Sequence, residues 1–233
     1  MTLLSEIYDV TLKRGIRGMA KGGLLRPTLG ELFVTNKDYV EQPKHRLIPT
    51  KMDSSKRYTA VYMDDDRTVT FPTVRQTCGS IFGAASGKYY WEVTAIHTAD
   101  WQCSAIGITR NKALWNVRPD GAMTGAVHRS SNDVWKDAGL YYNSLCPDIM
   151  NTGIYVIGIK LNLDDFLITF YTNGVMDVGP INIYNLGLTG DIYASIGATN
   201  HASSNCIIYA NFGQSSFVYQ VPEGYLPGFG QVL

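Results

Sequence analysis

Between residues 111 and 152 the chain gathers side chains suited to contact chemistry: Trp115, Arg118, Asp120, His128, Arg129, Trp135, Tyr141 and Tyr142. Tryptophan, tyrosine and arginine are the residue types that anchor interfaces, and aromatic faces also stack on sugar rings. A catalytic reading of the chain finds less support. The histidines His45, His97, His128 and His201 are too scattered to share a metal. No Gly-x-Ser-x-Gly elbow or Walker loop is present, and Gly79-Ser80-Ile81-Phe82-Gly83 reads as a turn-rich connector. Glycoside hydrolysis needs two carboxylates facing each other. Asp133 and Asp137 are the best pair, and nothing in the sequence sets either apart as the acid. Asp64, Asp65 and Asp66 lack the further carboxylates of a calcium loop and read as a solvated hairpin tip. Cys78, Cys103, Cys146 and Cys206 contain no CxxC pair. They read as free thiols of a chain folded in a reducing cytoplasm, not as a zinc or redox site. The sequence therefore predicts no enzyme, no metal and no cofactor.

The elements that must hold these side chains are strands. Tyr58, Ala60 and Tyr62 alternate before the aspartates, and Val69 and Phe71 resume the alternation after them. Lys88–Val93 is a dense aromatic and β-branched run. Ser104–Thr109 is a short strand with Gly107 inside it, which marks close approach of a neighbour. Residues 154–161 form a nearly continuous apolar strand. Leu163-Asp164-Asp165-Phe166 reads as a tight turn into a return strand, Phe166–Tyr171, and Asn173-Gly174 as the next turn. Tyr193–Gly197 and Ile207–Phe212 add two strands, and prolines 222 and 227 with glycines 224, 228 and 230 give a turn-rich tail. Strands at this spacing without intervening helical periodicity predict an all-β antiparallel sandwich.

Ahead of the strands, Leu3, Leu4, Ile7, Val10 and Leu12 fall at helical spacing until Gly15 and Gly18 intervene. Residues 21–50 mix Gly and Pro with apolar clusters and no steady period, which predicts an extended docking arm. The expected division is an attachment arm over 1–50, containing a short helix, and a sandwich over 51–233. Twenty basic and twenty acidic side chains cancel, which argues against a nucleic-acid partner. The cancellation hides an asymmetry, because residues 1–60 hold eleven Lys/Arg against six Asp/Glu. A basic arm thus precedes an acidic body. No run of about 18 apolar residues predicts a membrane span. The start, MTLLSEIYDVTLKRG, interrupts its apolar stretch with charge and does not read as a signal peptide.

Five short motifs occur in order. They are Gly87-Lys88-Tyr89-Tyr90-Trp91-Glu92-Val93, Ala105-Ile106-Gly107-Ile108, Val156-Ile157-Gly158-Ile159 with Leu163-Asp164, Phe170-Tyr171-Thr172-Asn173-Gly174, and Asn211-Phe212-Gly213. In that order they resemble the SPRY domain, over roughly residues 58–220. The resemblance implies a concanavalin-like jelly-roll sandwich in which Trp91, Phe170 and Phe212 fill the core, with Glu92 on the face opposite Trp91 and Val93. It also implies a binding module whose contacts come from loops at one end, here near residues 64–68, 94–102, 111–136 and 137–152. On that basis the candidate binding residues are Trp101, Trp115, His128, Arg129, Trp135, Tyr141 and Tyr142. The alternative for any one aromatic is that it caps the edge of the core.

Asn211-Phe212-Gly213-Gln214 followed by Val221-Pro222-Glu223-Gly224-Tyr225 is similar to the ending of SPRY-bearing structural proteins of tailed bacteriophages. That likeness implies a virion component made in the host cytoplasm: a capsid decoration, neck or tail protein. Residues 1–50 would bind other virion proteins, the loops would meet a host-surface protein or a glycan, and the chain would be a candidate homo-oligomer. The alternative is a cellular adaptor that recruits a short peptide. No RING or B-box pattern, SOCS-box-like helix or coiled-coil heptad accompanies the motifs to favour it.

Overall fold

A computed structural model describes residues 46–56, 61–62, 66–71, 76–98, 104–110, 126–130, 133–136, 139–142, 152–198 and 206–233. The helix and arm expected before residue 46 lie outside these residues, as do Tyr58, Ala60, Asp64 and Asp65.

The described strands run in chain order as β1 (Leu47–Pro49), β2 (Val61–Tyr62), β3 (Thr68–Phe71), β4 (Gln76–Ala84), β5 (Lys88–His97) and β6 (Ser104–Thr109). Then come β7 (Ala126–Ser130), β8 (Asp133–Lys136), β9 (Gly139–Tyr142), β10 (Gly153–Asn162), β11 (Leu167–Thr172) and β12 (Val175–Asn182). The series ends with β13 (Ile192–Ala198), β14 (Cys206–Asn211), β15 (Leu226–Pro227) and β16 (Gly230–Val232). One large sheet has the order β12-β11-β10-β5-β14-β3-β2, with β15 joining β5 in parallel where β14 stops. A second sheet has the order β4-β13-β6-β7-β8-β9, and β1 pairs with β16.

The alternation that predicts strands also sorts the core. From the large sheet Trp91, Val93, Ile157, Ile159, Phe170 and Ile208 are buried, and Ile106, Ile108, Ala194 and Ile196 come from the second sheet. Phe212 is buried with them, and Phe229 lies 4.8 Å from Trp91, ring centre to ring centre. Burying such rings is the largest apolar gain available to a sandwich of this size. Cys78 and Cys206 are buried inside it; Cys103 and Cys146 lie outside the described residues. The Asn173-Gly174 turn has φ of 50° and 80°, the pair of left-handed residues that a type I′ hairpin demands.

Four expectations change. Gly79–Gly83 is no connector: it lies within β4, whose Ser80 accepts the Ala194 N–H on one side (3.0 Å) while Gly79 and Ile81 pair with Asp53 and Lys51 on the other. Two glycines in a strand paired on both sides are paid for by close packing rather than a bend. The stretch 111–152 contains β7, β8 and β9, a meander whose members are too short and too polar to show a clear period. The tail holds β15 and β16 in addition to its turns. The sandwich unit also begins before residue 51. Leu47 pairs with Val232, and buried Thr50 accepts the Phe82 N–H at 3.0 Å and donates its own N–H to Phe229 O at 2.8 Å.

Candidate binding surfaces

The meander is where the structure places most of the candidate residues. β6 pairs with β7, β7 with β8 and β8 with β9, so this region forms one margin of the second sheet. His128 is the register partner of Trp135, and Arg129 of Val134. Val134 in turn pairs with Tyr142, and Trp135 with Leu140, across a register shift. Tyr141 lies in the same strand, β9. His128, Arg129, Trp135, Tyr141 and Tyr142 therefore lie on adjacent strands and not on the loops expected for them, with His128 and Trp135 in one cross-strand row and Arg129 and Tyr142 in the next. Trp101 and Trp115 lie outside the described residues, as do Arg118, Asp120 and Asp137. His97 is buried at the end of β5, 5.4 Å from the ring of Tyr155.

The outer face of the large sheet carries a second surface that the sequence reading missed. Its cross-strand rows follow from register, since residues two apart on a strand share a face. Two rows lie under a strap formed by residues 215–225: Gly158 beside Glu92, and Lys160 beside Tyr90. Asn211 starts the strap, its amide donating to Ser215 O and Ser216 O at 3.1 Å each. Glu92 then fastens it. The carboxylate is 2% exposed and accepts the Val218 N–H (2.7 Å), the Tyr219 N–H (2.9 Å) and the Tyr90 hydroxyl (3.0 Å). A buried carboxylate is tolerated only with such donors, and charge-assisted bonds of this kind are the strong ones.

Packing completes the fastening. Phe217 meets Tyr90 edge-on with ring centres 5.5 Å apart, and Lys160 Nζ sits 4.8 Å from the centre of the Tyr225 ring. Gly158 makes room for Tyr90: a Cβ there would stand 2.7 Å from the Tyr90 hydroxyl. Burial, with the Glu92 charge and hydrogen bond behind it, pushes the Tyr90 hydroxyl well above the ordinary tyrosine range. Gln214 ties the same region to the N-terminal edge, accepting the Phe212 N–H at 2.9 Å and donating to Thr50 O. The Asn-Phe-Gly-Gln sequence is thus the hinge and lock of the strap.

The next two rows lie beyond the strap. One runs Val156–Thr94–Tyr209–Thr68, and the other Ile154–Ile96–Ile207–Thr70. Ile154 is 66% exposed, Ile96 and Ile207 are half-buried, and Val218 on the strap is 65% exposed. None of these nine side chains itself carries a charge. The Arg67 guanidinium covers one of them, 5.3 Å from the centre of the Tyr209 ring, and donates to the Tyr209 hydroxyl at 3.0 Å and to Ser215 Oγ at 3.3 Å.

No protein-family model matches the sequence and no curated protein matches it. Solved structures do match in shape. The SPRY domain of human HERC1 superimposes with a TM-score of 0.55 at 12% identity, over 71% of this chain and 99% of that domain. The fold is that of a SPRY domain. The PSpry domain of TRIM65 aligns at a TM-score of 0.49 and 13% identity, over 70% of this chain and 92% of that one. Within the SPRY fold the expected core residues Trp91, Phe170 and Phe212 are all buried, and Glu92 faces away from Trp91 as its place between two core residues requires. Among the described residues no group of three His, Cys, Asp or Glu side chains is arranged to hold a metal, and no helix is long and apolar enough to cross a membrane.

Proposed function

We propose that this chain is a non-enzymatic binding module that grips a protein partner through the β7–β9 meander and is anchored by its basic N-terminal segment. The observation that carries this reading is the gathering of His128, Arg129, Trp135, Tyr141 and Tyr142 on three consecutive short strands at one margin of a SPRY sandwich. Tryptophan, tyrosine and arginine are the residue types that most often anchor interfaces. Trp101 and Trp115 complete the proposed set.

The setting we propose is a virion. Two features favour it: the phage-like ending from Asn211 to Tyr225, and the segregation of positive charge into the first sixty residues ahead of an acidic body. Such a segment steers onto an acidic neighbour in an assembly while the sandwich is displayed outward to a host protein or glycan.

The test has two arms. Light-scattering mass on the full chain and on residues 45–233 reads the anchor, and arrays of peptides and of glycans read the meander. The Trp115→Ala, Trp135→Ala double variant is expected to fold normally and lose array binding. Intact binding by that variant would contradict the site assignment.

A further inference from the structure

We propose that Asn173 is a site of covalent modification: a deamidation site in the β11–β12 turn that the strap holds unreactive, and that opening of the hairpin exposes to irreversible conversion. The proposal rests on the large sheet alone and does not depend on the function proposed above.

The sequence supplies the reactants. Asn173-Gly174 is the chain's single Asn-Gly pair, and both residues are exposed to water. Deamidation joins the Gly174 backbone nitrogen to the side-chain carbonyl carbon of Asn173, Cγ. The nitrogen gives up its proton, the Cγ–Nδ2 bond breaks, and Nδ2 leaves as ammonia, so that a five-membered succinimide remains. Water then opens the ring at either carbonyl, to aspartate or to isoaspartate. No oxidant, metal or enzyme takes part. A following glycine favours the step because it sets no side chain in the way of the attacking nitrogen.

The fold withholds the geometry. The first central residue of a type I′ turn has ψ of about +30°. At that angle the Gly174 nitrogen stands nearly opposite the Asn173 Cβ across the Cα–C bond, so Cγ cannot reach it. Ring closure needs the two on the same side, and hence a rotation of the peptide between Asn173 and Gly174. Three contacts oppose that rotation. Asn173 Oδ1 accepts the Val156 N–H at 2.9 Å, and the Asn173 N–H donates to Val156 O at 2.8 Å, which pins side chain and backbone to β10. The Tyr219 ring lies against Gly174, where a Cβ would stand 2.6 Å from it. Tyr219 is held in turn by Glu92, which accepts its N–H at 2.9 Å. This line of contacts ties the reactivity of Asn173 to closure of the strap. The conversion also leaves a lasting mark. Isoaspartate carries the chain through its side-chain carbons and lengthens a two-residue turn by one methylene, which the Thr172–Val175 and Tyr171–Met176 pairs cannot absorb in register.

The experiment is peptide mapping by mass spectrometry after incubation at mildly alkaline pH. It compares the folded full chain, the same chain unfolded in denaturant, and the Tyr219→Ala variant, with the melting temperature of the variant measured alongside. Asn173 is expected to convert about tenfold or more slowly in the folded chain than in the unfolded one, and severalfold faster in Tyr219→Ala than in wild type. Tyr219→Phe keeps the ring on Gly174 and is expected to react like wild type. A folded chain that converts as fast as the unfolded one overturns the proposal. So does a Tyr219→Ala rate equal to that of wild type. Should Tyr219→Ala fail to fold, Tyr219→Leu gives the same comparison.

Discussion

The two halves of the large sheet's outer face are built from the same three central strands and end in opposite states. Over Glu92, Gly158 and Tyr90 the chain folds back on itself, and a buried carboxylate with three donors holds the return segment down. Two rows further along β5 the same face shows Ile96 between Ile154 and Ile207, beyond the reach of the strap. Closure here is decided by polar chemistry more than by apolar area. The half beyond the strap is the more apolar of the two, and the strapped half is the one with an acceptor for backbone N–H groups.

That contrast can be broken most severely at the carboxylate. Glu92→Ala leaves the N–H groups of Val218 and Tyr219 and the Tyr90 hydroxyl without their acceptor, and is expected to cost about 4 kcal/mol in denaturant unfolding. A loss under about 1 kcal/mol would mean that the strap rests on apolar contact alone. The N-terminal edge comes next. Residues 45–233 should melt like the full chain, whereas residues 51–233 lose β1 and Thr50 and should be about 3 kcal/mol less stable. Equal stability of the two truncations would detach this edge from the account.

Gly158→Val drives a side chain into the Tyr90 hydroxyl and should cost about 2 kcal/mol. Tyr90→Phe in the same chain should recover part of it, and additivity of the two changes would place the clash elsewhere.

Alkaline titration gives a smaller effect. The folded protein holds the Tyr90 proton to higher pH than the unfolded chain does, so its contribution is complete below the ordinary tyrosine value and declines as pH rises above it. Stability should fall from about pH 10 upward, by at most about 1.4 kcal/mol per pH unit for this group. Tyr90→Phe should flatten that limb. The smallest stability effect belongs to the half beyond the strap: Ile154→Asp, at a side chain 66% exposed, should stay within about 0.5 kcal/mol of wild type.

How much of this was legible in the sequence follows the range of each interaction. The alternation through Tyr90-Trp91-Glu92-Val93 sets Glu92 on the outer face, and Gly158 inside an apolar run signals a close neighbour; both are local patterns. What Glu92 binds is not local. Its partners Val218 and Tyr219 lie 126 and 127 residues away, and no periodicity links them to it. The isoleucine row is hidden for the same reason, because Ile154, Ile96 and Ile207 become neighbours only once β10, β5 and β14 are in register. Gly79–Gly83 misled because glycine marks turns and tight strand packing alike. Residues 111–152 misled because strands of four or five residues carry too few alternations to be recognised. The aromatic and basic composition of that stretch was plain, and its arrangement as a meander was not.

Amide hydrogen exchange at Val218 and Tyr219 of the wild-type protein tests the central claim most directly. These two residues lie in a segment without helix or strand, where amides would exchange at the rate of an open chain unless something holds them. Both are expected to be protected to the level of the neighbouring β5 amides, because Glu92 holds the strap closed until the sandwich itself opens. Exchange of both at open-chain rates would contradict it, and the two halves of the face would then be alike.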